Sequence, residues 1–343
     1  MTVHHASGTR RPPPHRTRRA RPAGAMTAPP PLTVINCGAG TDSTTLTLMS
    51  AWGLRPRADA VIFADTGDEP DAVYAVVDAL DAVLSCVKIP FYRVSHGRLS
   101  VDVLDPHTAA TLPAFTLGEH PVGRSAAGSD VLATSGLRRG QLPRRCTPRY
   151  KAEVIDRKIR ELLGAPVRTV DCRYCQASGT RLAPGTPGAG PGLCSVCRGA
   201  GQRRLVGRVP AGARVVQWIG FPAGEESRRN PTTFPAHAIS LYPLIDLGWT
   251  TTDCATWLTA HGWPAVKSAC VQCPYRSDEG WRAMRDHTPE DFARAVAFDH
   301  AFRTAPGLHD HRFLHPSRTP LDEAPLDRRA RRTRTTRNVI VEC

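Results

Sequence analysis

The stretch Val34-Ile-Asn-Cys-Gly-Ala-Gly-Thr-Asp-Ser-Thr-Thr-Leu46 joins a short apolar run to a glycine-rich turn and the opening of a helix. Leu32 to Ile35 read as a buried strand, and from Ser43 onward Leu46, Leu48, Met49 and Trp52 recur at helical spacing. Gly38 and Gly40 free the backbone to curl its amides toward one point, where the first helical turn adds unpaired N–H groups and a positive dipole end. The pattern predicts a phosphate cradle. The same three pieces also serve in many proteins only to pack a helix closely on a parallel sheet. A second strand, Ala60 to Ala64, runs into Asp65-Thr-Gly-Asp-Glu-Pro70, which puts carboxylates where open α/β sheets bind ligands.

These two loops resemble those of the adenine-nucleotide alpha-hydrolase superfamily (PP-loop proteins), and within it the phosphoadenosine phosphosulfate (PAPS) reductase family. That family carries Ser-Gly-Gly-x-Asp-Ser after strand one and Asp-Thr-Gly with a nearby Glu after strand two. Here Gly38 and Ala39 replace the first Ser and Gly of the loop, while Gly40, Asp42 and Ser43 are kept. The resemblance implies a nucleotide site over Gly38, Ala39, Gly40, Thr41, Asp42, Ser43 and Thr44, joined by Asp65, Thr66, Gly67 and Glu69. It also implies Mg²⁺ on carboxylates such as Asp42 or Asp65.

The chain has 343 residues, 41% of them hydrophobic and 22% charged, enough to bury a substantial core in one large or two modest domains. No run of about 18 apolar residues is present, so no membrane partner and a cytoplasmic location are expected. The net charge of +14 sits mostly in two tails. Residues 1–31 hold six arginines and no acid, and 326–343 hold six arginines against Asp327 and Glu342. A Pro/Arg-rich leader cannot build a packed core and is expected to be disordered. It reads as a dispensable tail or a nucleic-acid arm, and Met26 offers an alternative start just before the first strand.

The expected fold is α/β, a Rossmann-like doubly wound parallel sheet over 32–325 with a cysteine-rich insertion at 171–204 and a helical C-terminal part. Val73, Val76, Val77, Leu80, Val83 and Leu84 have helical spacing, Phe91 to Val94 read as a third strand, and alternating strands and helices imply the parallel sheet. Ser95 to Leu142 shows little periodicity. Arg144-Arg-Cys-Thr-Pro-Arg-Tyr-Lys151 then opens a helix through Ile155, Ile159 and Leu162, where cations oppose the dipole unless an anion binds. This run resembles the Cys-Cys-x-x-Arg-Lys segment of sulfonucleotide reductases, with Arg145 in place of the first Cys, and it marks Cys146 and Lys151 as candidate catalytic residues.

Cys172-x2-Cys175 and Cys194-x2-Cys197 have a four-thiolate zinc spacing, each half closed by a glycine, Gly179 and Gly201. The insert resembles the Cys-x-x-Cys-x-Gly-x-Gly modules of DnaJ-type chaperones. Stapling a segment with almost no core is the favoured role, and Arg173, Arg181, Arg198, Arg203 and Arg204 leave a nucleic-acid contact open. Val215 to Gly220 reads as another strand, running into Gly224-Glu-Glu-Ser-Arg-Arg229, and the resemblance carries Glu225 and Arg228 into the nucleotide site. Further helices are expected over Thr252 to His261, Gly280 to Asp286 and Glu290 to Phe302, with Asp278 and Thr288-Pro289 as caps, and an irregular rim at Phe313 to Asp322.

A last pair, Cys270-x2-Cys273, lies 124 positions after Cys146, or 90 once the 34-residue insert is set aside. Sulfonucleotide reductases hold a [4Fe-4S] cluster on a Cys-Cys pair and a distant Cys-x2-Cys pair. Sulfur-transfer enzymes of the same superfamily hold one on three cysteines. Cys146, Cys270 and Cys273 are the candidate ligands by that resemblance, with a zinc site or free thiols as the alternatives. Cys343 echoes the C-terminal Glu-Cys-Gly of PAPS reductases, without the glycine. Three functions follow: ATP-dependent activation and thiolation of a substrate with a sulfur donor, reduction of PAPS or adenylyl sulfate with a thiol reductant, or nucleic-acid binding without catalysis.

Overall fold

The computed structural model describes residues 30–105, 112–119, 137–181, 192–194, 196–229, 235–305 and 311–327. The chain begins β1 (Leu32–Cys37), α1 (Thr41–Ala51), β2 (Ala60–Asp65), α2 (Asp71–Cys86), β3 (Phe91–Ser95) and α3 (Leu99–Leu104). Strands β4 (Phe115–Glu119) and β5 (Leu137–Gln141) precede a π-helical turn (Thr147–Ala152) that runs into α4 (Glu153–Leu162). The insert contributes β6 (Val167–Asp171), β7 (Thr180–Arg181), β8 (Gly192–Leu193) and β9 (Gln202–Val206). Then come β10 (Val215–Ile219), β11 (Ala238–Leu241), α5 (Pro243–Asp246), α6 (Thr251–Ala260), α7 (Asp278–His287), α8 (Pro289–Arg303) and β12 (His311–Phe313).

Five strands form an all-parallel sheet in the order β11-β10-β1-β2-β3. Successive side chains point to opposite faces, so each strand feeds two cores. Ile35, Cys37, Val61, Phe63 and Trp218 pack with α1, α2 and α6. Val34, Ala60, Ile62 and Val215 meet Ile159 of α4 on the other side. Burial on both faces explains why β2 reads as the continuous run Ala-Val-Ile-Phe-Ala. In α2, Val73, Val76, Val77, Leu80 and Leu84 form the buried stripe; each such side chain contributes about 1.5–3 kcal/mol. Strand order reverses between β1 and β10, which opens a crevice at their C-terminal ends.

A second core joins α3, α7, α8 and the π turn through Leu99, Tyr150, Val271, Trp281, Phe298 and Leu314. Beside it lies a three-stranded antiparallel sheet, β12-β4-β5. The aperiodic segment Ser95 to Leu142 thus contains α3, β4 and β5 among its described residues. The expected irregular rim begins in a strand instead, because Phe313 pairs with Phe115 and Arg318 bonds the carbonyls of Thr116 (2.9 Å) and Gly140 (3.1 Å). Ser277, not Asp278, caps α7: its hydroxyl accepts from the Gly280 amide at 3.2 Å. Thr288 occupies the N-cap of α8 but bonds backward to the Met284 carbonyl at 3.2 Å. Among the described residues no helix is long and apolar enough to cross a membrane.

Candidate functional site

The glycine turn lies at the C-terminal end of β1, beside the reversal of strand order. Its first-turn amides are partly engaged: Thr41 N–H and its hydroxyl both donate to the Val266 carbonyl, at 2.8 and 2.9 Å. Gly38 N–H donates to Ser43 Oγ at 3.1 Å and Ala39 N–H to Cys37 Sγ at 3.3 Å. Ala39 holds a left-handed φ of 53°, a conformation that favours glycine. Asp42 and Ser43 amides lie in the turn where no intrahelical acceptor exists. Gly220, at the end of β10, keeps that turn open, since a Cβ there would stand 3.0 Å from Ser43 Cα and 3.1 Å from its nitrogen.

Asp42 Oδ1 is buried without a hydrogen-bond partner, and burial pushes its carboxyl above the ordinary range, with Thr251 opposing and Glu225 adding to the shift. Asp65 Oδ1 accepts from the Gly67 amide at 2.7 Å and the Tyr74 hydroxyl at 2.9 Å. The two aspartates therefore serve different elements. Glu225 and Arg228 pair with each other at the end of β10, and Arg228 stacks 4.0 Å over Phe221.

Segment 266–273 connects this turn to a second cluster. Ser268 lies against Gly38 and Gly40, and two residues later Cys270 Sγ comes within 3.2 Å of Thr66 Oγ1 and 3.8 Å of Glu69 Oε1. Glu69 is fully buried, pairs with Lys151 at 3.3 Å and leaves Oε2 without a partner. Burial works against the Lys151 ammonium, but Glu69 with the Cys270 and Cys146 thiols outweighs it and raises its pKa. Burial, reinforced by Glu69, pushes the Cys270 thiol up. Cys146, Cys270, Cys273, Lys151, Thr66 and Arg144 line one cavity of about 70 Å³. That space takes a few atoms, far less than the roughly 300 Å³ or more of a drug-sized ligand site.

In the insert, the sulfurs of Cys172, Cys175, Cys194 and Cys197 all lie within 4.8 Å of one another and are buried. The Cys172–Cys194 and Cys175–Cys197 separations are 3.9 and 3.5 Å. Metal–sulfur bonds of about 2.3 Å imply a tetrahedral edge of about 3.8 Å, whereas a disulfide needs about 2.0 Å. The donor set therefore fits a metal ion. Gly179 and Gly201 are required by the fold of this knuckle, with φ of 76° and 68° and a virtual Cβ only 2.3 Å from Gly199 O and 2.4 Å from Ala177 O.

The structure thus brings Gly38–Thr44 beside Glu225 and Arg228, and Thr66 and Glu69 beside Cys146, Lys151, Cys270 and Cys273. Cys343 lies outside the described residues. Sequence reading missed Ser268, whose small size in Lys267-Ser-Ala-Cys270 was the only trace of its packing, and Asp102 and Tyr150, which carried none; Arg198 was singled out only as a nucleic-acid contact. No family model, curated protein or solved structure matches this chain.

Proposed function

We propose that the chain is an adenine-nucleotide-dependent sulfur-transfer enzyme. The reading rests on one observation: the segment that packs on the glycine turn through Ser268 is the segment that carries Cys270 into the thiol cavity. A phosphate cradle and a pocket of thiols share a wall, so a nucleotide-activated group and a sulfur donor can meet.

In this reading ATP lies along the crevice between β1 and β10, with its phosphates toward the amides of the Gly38–Thr44 turn. Asp42, whose Oδ1 is unpartnered, or Asp65 from the neighbouring loop would hold Mg²⁺. Glu225 and Arg228 border the same turn. A carbonyl oxygen of the acceptor attacks the α-phosphorus and pyrophosphate leaves. Hydrosulfide then attacks the activated carbon, a C–S bond forms, and AMP departs with the former carbonyl oxygen. Lys151 neutralises negative charge beside Cys270, and Glu69 keeps the lysine in place. By the resemblance Cys146, Cys270 and Cys273 are the three thiolates that would hold a [4Fe-4S] cluster and its sulfide, which requires the cavity of about 70 Å³ that they line to widen. The four-cysteine knuckle would take Zn²⁺ and staple the insert.

Arg144 and Lys151 on the walls of the same cavity favour a second reading, in which a thiolate reduces a sulfonucleotide. One set of assays separates the readings. AMP and pyrophosphate formed from ATP and hydrosulfide, with iron and acid-labile sulfide lost on changing Cys146, Cys270 and Cys273 to Ala, support sulfur transfer. Sulfite formed from PAPS supports the reductase. Steeply salt-dependent nucleic-acid binding that survives loss of Asp42 and Asp65, without turnover, would leave a binding module.

A further inference from the structure

We propose that Arg198 is a positioning residue that ties the metal knuckle to the thiol cavity, so that metal loading of the insert sets the placement of Cys146 and Lys151. The functional weight of this link rests on the sulfur-transfer reading.

Arg198 directly follows Cys197, and its backbone belongs to the knuckle turn: φ is 53° and its amide donates to the Cys194 carbonyl at 2.6 Å. Among the described residues, the buried core of that turn consists of the four cysteines. Its other ties are backbone bonds such as Cys172 N–H to the Gly201 carbonyl and Cys194 N–H to the Gly179 carbonyl, so a bound metal would add most of what packs its interior, and in small sites of this kind binding energy is folding energy. The backbone placement of Arg198 is therefore set by the knuckle turn.

From there the guanidinium reaches α3 and grips Asp102 with both nitrogens, Nη1 to Oδ1 and Nη2 to Oδ2, each at 2.6 Å. Paired forks of this geometry are among the strong protein hydrogen bonds. Asp102 is only 8% exposed and needs a counter-charge there. Gly97 admits the approach, since a Cβ at that position would fall 1.8 Å from Arg198 Nη1.

The same carboxylate accepts the hydroxyl of Tyr150. Tyr150 is buried in the π turn Thr147–Ala152, which carries Lys151 and directly follows Cys146. Both of those residues line the thiol cavity. His96 backs the arrangement, edge-on to Tyr150 with ring centroids 4.9 Å apart, and accepts from Arg149 Nε at 3.1 Å. Direct contacts thus run from Cys197 through Arg198, Asp102 and Tyr150 to the cavity wall.

The test measures alkylation of Cys146 by iodoacetamide, peptide by peptide, in full-length, zinc-loaded, iron-free protein. Arg198→Met should keep its zinc and speed Cys146 alkylation about tenfold, within the usual range of coupling between sites. Chelation of the wild type should give the same increase, chelation of Arg198→Met should add nothing, and Arg198→Lys should restore much of the protection. If Arg198→Met does not fold, the charge-neutral pair Arg198→Met/Asp102→Asn takes its place with the same expectations. Unchanged Cys146 reactivity in a zinc-retaining variant, or an equal effect of chelation with and without Arg198, overturns the proposal. Activity plays no part in this readout, so failure of the ATP assay with the alkylation pattern intact would sink only the sulfur-transfer reading.

Discussion

Ser268 lies so close to Gly40 that a Cβ on the glycine would meet the serine hydroxyl at 2.6 Å and its backbone nitrogen at 3.0 Å. The glycine is thus needed first for closure of the 266–273 segment over the turn. Gly40→Ala is expected to cost about 1–3 kcal/mol, the usual range for overpacking, and Ser268→Gly in the same chain should recover part of it. Urea unfolding of the two variants checks this. Equal stability of Gly40→Ala and wild type would refute the close packing.

The Lys151–Glu69 pair sits with its carboxylate fully buried. Removing the lysine alone leaves an uncompensated buried charge, so Lys151→Met should lose about 3–5 kcal/mol at neutral pH. Lys151→Met/Glu69→Gln should lie much closer to wild type. A double-mutant cycle that came out additive would show that the two side chains do not interact.

In the knuckle, Gly201 faces Ala177 O at 2.4 Å from a virtual Cβ. Gly201→Ala imposes backbone strain of roughly 1–3 kcal/mol, which is subtracted from metal binding because the site folds as it loads. Zinc affinity, read by competition with a chromogenic chelator, is expected to fall about tenfold or more. An unchanged affinity would contradict the knuckle geometry.

Burial pushes the His96 pKa from 6.5 down to about 4, helped by Arg198 and Arg149 and opposed by Asp102. Between those values the unfolded chain binds a proton that the folded chain refuses, so stability falls as pH drops from about 6.5 toward 4. His96→Gln keeps an acceptor for Arg149 and removes this dependence. Denaturant midpoints across that window should fall less steeply for the variant than for wild type, and parallel curves would exclude His96 as a contributor.

The sheet was legible because its strands bury both faces and therefore write themselves as continuous apolar runs, as in β2, and because α2 repeats its valines and leucines at helical spacing. The four-cysteine cluster was legible for a different reason: metal ligation demands two close pairs, and spacing alone records them. What the sequence hid depends on contacts between distant segments. Ser268 on Gly40 and Arg198 on Asp102 join residues 228 and 96 positions apart. Neither pair leaves a periodic trace. The segment that holds α3 and Asp102 is short and broken by polar residues, because Asp102 buries its carboxylate against a partner supplied by the insert.

The insert leaves and rejoins the main chain at nearly one point. Val167 pairs with Val206, and the Gly207 amide donates to the Pro166 carbonyl at 2.8 Å. A chain passing straight from Pro166 to Gly207 could keep α4 and β10 where they are, so in evolution this module could be gained or shed by a single exchange of coding sequence. Asp102 makes that exchange uneven. A chain without the insert would lose the paired fork from Arg198 to Asp102, so descendants lacking the module should show changed residues at or around position 102.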